Sequence, residues 1–150
     1  MENVRLNKLD NVYCFNIGLS DFEDTLTFYL TYPALESSFS KDVLDSGDVK
    51  IVGTEKVEVK TIDKLVSEGV IHPPEHIKID VEGLGLEVLM GAKQTISKYR
   101  PMIFFEPHFG KDGLDRRKKL LEYFQMFDYE VEEHARARSP QWICIPRKLG

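Results

Sequence analysis

A chain of 150 residues with 20 basic and 25 acidic side chains carries a net charge of −5, which gives it no general attraction to nucleic acid or to an anionic membrane. The length suits one ordinary domain with room for a real core, and apolar runs such as Met102 to Phe105 fall far short of the roughly 20 residues that cross a bilayer. With no signal-peptide pattern at the amino end, the chain reads as cytoplasmic, with neither nucleic acid nor membrane as partner.

In chain order, residues 2–9 suit a short helix with Val4, Leu6 and Leu9 as its apolar positions and Asp10 and Asn11 as stop residues. Val12 to Leu19 and Asp24 to Tyr32 read as strands, the second rich in aromatic and β-branched residues. Pro33 to Asp48 is polar and serine-rich, a loop with the look of a lid. Val49 to Val52 and Lys56 to Val59 flank a Gly-Thr-Glu turn, and Thr61 is placed to cap a helix running through Ile62, Leu65 and Val66 to Gly69. Cys14 and Cys144 stand alone in apolar stretches, so two buried free thiols are expected rather than a disulfide or a metal site.

The stretch from His76 to Ala92 proposes chemistry. Ile77, Ile79 and Val81 alternate with Lys78, Asp80 and Glu82, which at a period of two puts the charged trio on one face of a strand. Gly83 breaks the strand, and Leu84, Val88, Leu89, Ala92 and Ile96 recur at helical spacing up to Tyr99. Arg100-Pro101 ends that helix, because the residue before proline avoids the α region. Met102 to Glu106 is the next strand, Leu114 to Phe127 an amphipathic helix, and Tyr129 to Glu133 with Trp142 to Pro146 a closing hairpin. Alternating strands and helices predict an α/β fold with a mainly parallel sheet and an antiparallel C-terminal hairpin.

In such sheets ligands gather outside the carboxyl ends of the strands, which is where Asp80 and Glu82 fall. Paired carboxylates suit cations and general-base work; the plainer alternative is an acid facing the positive end of the following helix. Glu106 and His108 end the neighbouring strand, and His108 is the side chain best tuned to act as a base near neutral pH, unless both are simply exposed loop residues. Ser20 with Asp21, and Ser37 with Ser38, read on their own as a turn and a solvated loop. The basic run Arg116 to Lys119 reads as a solvated helix face. His72, His76 and His134 are too scattered to join His108 as a metal set, and no metal is expected.

IKIDVEGLGLEVLMGA followed by KYRPMIFFEP resembles the signature of the FkbM-type, S-adenosylmethionine-dependent methyltransferases, with ENVRLNKLDNV, the strand ending in IGLSD, KTIDKL and QWICIP in supporting order. The resemblance implies a partial Rossmann-like class I methyltransferase fold, in which this chain supplies the third to seventh strands. It implies S-adenosylmethionine as cofactor and a small-molecule or glycan acceptor, methylated at a hydroxyl of a sugar or secondary metabolite. It places Asp80, Glu82, Glu106 and His108 on the catalytic, acceptor side of the cleft, Ser20 and Asp21 with Asp80 at the cofactor, and Ser37 and Ser38 at the acceptor.

Two departures stand out. The family usually has an acid two places after the motif glycine, where this chain has Gly85, although Glu87 is retained. Its glycine-rich cofactor loop and first two strands have no counterpart here, so residues 1–150 read as a single, N-terminally truncated methyltransferase-like domain that by itself binds cofactor weakly or not at all. Strands one and two of the family fold lie between strands three and four, so their loss opens both edges. Either Val12 to Leu19 shifts beside the motif strand or a second subunit covers that edge, making a homo-oligomer. The alternative function is a non-catalytic remnant or assembly module acting through the exposed edge. A metal-dependent hydrolase is the remote third reading, since no ligand spacing supports it.

Overall fold

Hydrophobic period and capping residues sort the chain into five helices and seven strands among the residues described in this computed structural model, namely 2–32, 50–81, 83–108, 113–134 and 140–148. In order these are α1 (Glu2–Leu6), β1 (Gly18–Leu19), β2 (Asp24–Tyr32), β3 (Lys50–Lys60), α2 (Ile62–Ser67), β4 (His76–Ile79), α3 (Gly85–Met90), α4 (Lys93–Tyr99), β5 (Met102–Phe105), α5 (Gly113–Met126), β6 (Tyr129–His134) and β7 (Gln141–Pro146). The predicted lid falls outside the described residues.

The α/β class and the C-terminal hairpin are as expected, but the strands divide between two sheets. One has the order β1-β3-β2 and the other β4-β5-β7-β6. β1 runs parallel to β3 and β4 parallel to β5, while β2/β3, β5/β7 and β6/β7 are antiparallel. The expectation that Val12 to Leu19 would lie beside the motif strand is overturned: only Gly18 and Leu19 form a ladder, and it is with Val59 and Lys60 of β3. Among the described residues β4 pairs with β5 alone. Val12, Tyr13, Cys14 and Phe15 carry strand-like apolar side chains yet stay exposed, Tyr13 at 81%. Cys14 is exposed with them, so of the two free thiols only Cys144 is buried as expected.

The predicted Gly-Thr-Glu turn does not form. β3 runs unbroken through it because Gly53, Thr54 and Glu55 find antiparallel partners in Leu30, Tyr29 and Phe28, with the irregularity absorbed as a register shift at Leu30/Thr31. Thr61 caps α2 as predicted, its hydroxyl accepting from the Lys64 N–H at 3.0 Å. The helix closes with Val70 N–H donating to Leu65 O and Gly69 N–H to Val66 O, a Schellman arrangement.

The motif helix divides into α3 and α4 at Gly91-Ala92. A Cβ on Gly91 would stand 2.0 Å from the carbonyl oxygen of Ser20, so the chain after β1 presses on this joint. Gly91 O accepts from Asp63 N–H, and the Asp63 carboxylate accepts from the N–H groups of Gln94 and Thr95 at 2.9 and 2.7 Å. An acid on α2 therefore caps α4 and ties the two helices together.

The core lies between β4-β5-β7-β6 and the helices α3, α4 and α5. Ile79, Ile103, Phe105 and Trp142 meet Leu89, Ile96, Leu120 and Phe124 there, all nearly inaccessible to solvent. Arg100 ends α4 in a left-handed conformation, φ 53°, and its guanidinium donates to the carbonyls of Phe127, Asp128 and Arg147 while lying over the Tyr129 ring.

Candidate functional site

β4 and β5 are parallel, with Ile79 opposite Phe105 and the Glu106 N–H donating to Ile79 O at 2.9 Å. Their carboxyl ends are therefore level, and the next residues, Asp80 and Glu106, leave the sheet side by side. Ile77, Ile79, Ile103 and Phe105 point toward the helices, so period-two alternation sends Lys78, Asp80, Phe104 and Glu106 to the opposite face.

Three of the four predicted catalytic residues converge. The ligand-type atoms of Asp80, Glu106 and His108 all lie within 4.8 Å of one another. Asp80 Oδ1 is 3.3 Å from His108 Nε2, and Asp80 Oδ2 accepts from Lys78 Nζ at 2.7 Å. The Lys78 ammonium holds the Asp80 carboxyl below the usual carboxylate range, opposed by partial desolvation and helped by His108. Glu106 Oε2 accepts from Gln141 Nε2 of β7 at 3.3 Å. Glu82 lies outside the described residues, as do Ser37 and Ser38.

Beside this cluster a cavity of about 530 Å³ opens over the sheet, lined by Lys78, Phe104, Glu106, His134, Gln141 and Trp142 among others. Aromatic walls with a few convergent polar groups are the usual make-up of a small-molecule site.

The turn between β4 and α3 is held by residues with other duties. Gly83 is buried at φ 77°, a conformation that an L side chain rarely adopts. The Arg116 guanidinium of α5 donates to the Gly83 carbonyl and comes within 4.0 Å of Glu87 Oε1, countering a carboxylate whose Oε2 is buried without a hydrogen-bond partner among the described residues. The solvated reading of the basic run is corrected here for Arg116. It is also corrected for Arg117, which bonds Glu133 at 2.5 Å and lies 5.2 Å from the Trp142 ring. Gly85 has a steric cause: a Cβ there would stand 2.6 Å from the tip of the Phe105 ring, which is wedged against Phe124 and Trp142. No acidic side chain fits at that place while the ring stays put.

Lys78 and Gln141 are site residues that sequence reasoning did not single out as such. Lys78 carried a readable signal, two residues from Asp80 on one strand. Gln141 did not, because only the β5/β7 pairing brings it to Glu106.

The sequence profile of the methyltransferase FkbM domain matches residues 2–136. The chain belongs to the FkbM methyltransferase family. It is similar to the hexuronic acid methyltransferase AglP of Haloferax volcanii, 33% identical over 100 residues that make up 65% of this chain and 41% of that protein. In structure it resembles the methyltransferase FkbM of Methylobacillus flagellatus KT, with a TM-score of 0.61 and 17% identity over 95% of this chain and 32% of the other. The chain thus spans less than half the length of the relatives it matches, and the structural likeness establishes the fold.

The residues assigned to an S-adenosylmethionine cofactor divide in their fit. Asp21 is exposed at the carboxyl end of β1, as a carboxylate accepting from an adenine or a ribose must be. Ser20 is buried, its hydroxyl donating to Asp21 Oδ1 at 3.2 Å and its N–H to Lys60 O, so it holds Asp21 rather than facing a ligand. Among the described residues, no helix is long and apolar enough to cross a membrane.

Proposed function

We propose that this chain supplies the acceptor side of an S-adenosylmethionine-dependent methyltransferase acting on a hydroxyl of a sugar or secondary metabolite. The reading is carried by the convergence of Asp80, Glu106 and His108 at the carboxyl ends of β4 and β5 in a member of the FkbM family. The similarity to a hexuronic acid methyltransferase makes an acidic sugar the first acceptor to test. The cavity suits one, since Phe104 and Ile143 offer apolar faces and Lys78, His134 and Gln141 offer donors.

When bound, the cofactor supplies an electrophilic methyl group. The chain's own task is to hold an acceptor hydroxyl in line with it, where positioning is the larger part of the rate. Asp80 Oδ1 stands 3.3 Å from His108 Nε2 and orients the ring, so the pair is held together where the acceptor hydroxyl must give up its proton. Lys78 fixes the second Asp80 oxygen, and Gln141 steadies Glu106 at the cavity rim.

The test is methyl transfer from isotope-labelled S-adenosylmethionine to a uronic-acid glycan, followed by mass. Asp80→Asn is expected to lower the rate by about 10²-fold, because it loosens both Lys78 and His108, and His108→Ala by less, since the reaction relies on a base only in part. Absence of transfer, together with no calorimetric binding of S-adenosylmethionine, would reject the enzymatic reading for this chain and leave the non-catalytic module.

A further inference from the structure

Two carboxylates and an imidazole from adjacent strand ends form an oxygen-oxygen-nitrogen donor set whose ligand atoms lie within 4.8 Å of one another. Donors bound cis at about 2.1 Å from a metal are about 3.0 Å apart in an octahedron and about 3.4 Å apart in a tetrahedron. Asp80 Oδ1 and His108 Nε2 are already 3.3 Å apart, and the whole triad closes within 4.8 Å. The remaining closure falls to side chains that are at least partly exposed at and beyond the ends of β4 and β5.

A second observation is independent of that spacing. Each carboxylate is oriented from behind by a donor that is not part of the triad. Lys78 Nζ holds Asp80 Oδ2 at 2.7 Å, which leaves Oδ1 toward His108, and Gln141 Nε2 holds Glu106 Oε2 at 3.3 Å. Outer hydrogen bonds of this kind are what fix ligand direction and tune affinity in metal sites. Lys78 also offsets one carboxylate charge, so a divalent ion is not over-neutralised. Asp80 is 44% exposed and His108 24% exposed, which leaves the outward coordination positions to water or to an oxygen of a bound molecule.

We infer that Asp80, Glu106 and His108 bind one first-row divalent cation at the mouth of the cavity. Oxygen donors suit Mn²⁺ and Mg²⁺, and the imidazole draws the preference toward a first-row ion; no thiolate is present to select zinc or copper(I). Cation binding by these residues stands without the methyltransferase reading. Only the use of the ion rests on that reading, namely to hold an acceptor hydroxyl at an open position and ease its loss of a proton.

The experiment is titration of Mn²⁺ into the full chain without cofactor or acceptor, read by loss of the free Mn²⁺ electron paramagnetic resonance signal. One ion per chain is expected, with a dissociation constant of about 10⁻⁴ M, as for shallow oxygen-rich sites. Asp80→Asn and His108→Ala should each weaken binding at least about 10-fold, while Asp115→Asn, whose carboxylate pairs with Lys119 on an exposed face of α5, should leave it unchanged. Spin-echo modulation from a coordinated imidazole nitrogen is expected in the unmutated chain, so the result does not depend on every variant folding. No loss of free signal at about 1 mM ion, no nitrogen modulation, or equal weakening by Asp115→Asn would overturn the site. Because neither methyl donor nor acceptor is present, an inactive enzyme that still binds Mn²⁺ is distinguishable from a missing site.

Discussion

Gly91 needs no unusual backbone, at φ −75° and ψ 0°, yet it has no room for a single added carbon, because the obstacle is the Ser20 carbonyl rather than a side chain that can rotate. Gly91→Ala is therefore expected to cost about 3 kcal/mol, at the upper end for overpacking, measured as a lowered urea midpoint. Gly85→Ala meets the Phe105 ring instead and should cost about 1–2 kcal/mol, since a ring can tilt where a backbone cannot. The two cysteines differ as sharply. Cys14 is exposed, whereas Cys144 is inaccessible and burial pushes its thiol up to about 12. A thiol reagent at neutral pH should label one cysteine in the native chain and two in denaturant, since the thiolate is the reactive form; native labelling of both would mean that β7 is not buried.

At the scale of elements, Asp63 does the joining. Its carboxylate caps α4 from α2 across 31 and 32 residues of sequence, so Asp63→Ala should cost about 1–2 kcal/mol, as a lost cap does, and raise hydrogen exchange first at Gln94 and Thr95. Thr61→Ala, a local cap, should cost about 1 kcal/mol and raise exchange at Lys64. Thr61 was legible because capping by threonine is a relation between residues three apart. Asp63 was not, because nothing nearby reveals which distant helix needs a cap. The same division explains the rest. β2, β5 and the hairpin follow from local residue preference, whereas the need for glycine at the break in the motif helix depends on Ser20 arriving from another sheet, and the unbroken β3 depends on β2 supplying partners through a glycine. At the site, Asp80, Glu106 and His108 were legible from the rule that parallel strands end level. Arg116 was not, because its charge matches a solvated helix face until the fold brings Gly83 and Glu87 beneath it.

For the molecule as a whole, the buried groups of the second sheet predict how stability responds to alkali. Burial raises Tyr129 to about 12, against the pull of the nearby Arg100 guanidinium, and its hydroxyl donates to Pro101 O at 2.7 Å; Cys144 is also raised to about 12, by burial alone. In the unfolded chain a thiol and a phenol lose their protons at about 8.5 and about 10. Between those values and about 12 the folded state therefore holds more protons than the unfolded state, and its stability must fall as pH rises. The contribution is complete below about pH 8.5 and is withdrawn in two stages, the thiol first. Urea midpoints should be flat from about pH 7 to 8 and decline from about pH 9 to 11. Cys144→Ala should lower the midpoint throughout, because it leaves a cavity, while removing the first stage of the decline and leaving the stage that belongs to the buried phenols of Tyr129 and Tyr123, both raised by burial. A variant that loses stability but keeps the full slope would place the ionising thiol elsewhere, and would mean that β7 does not hold Cys144 away from water in solution.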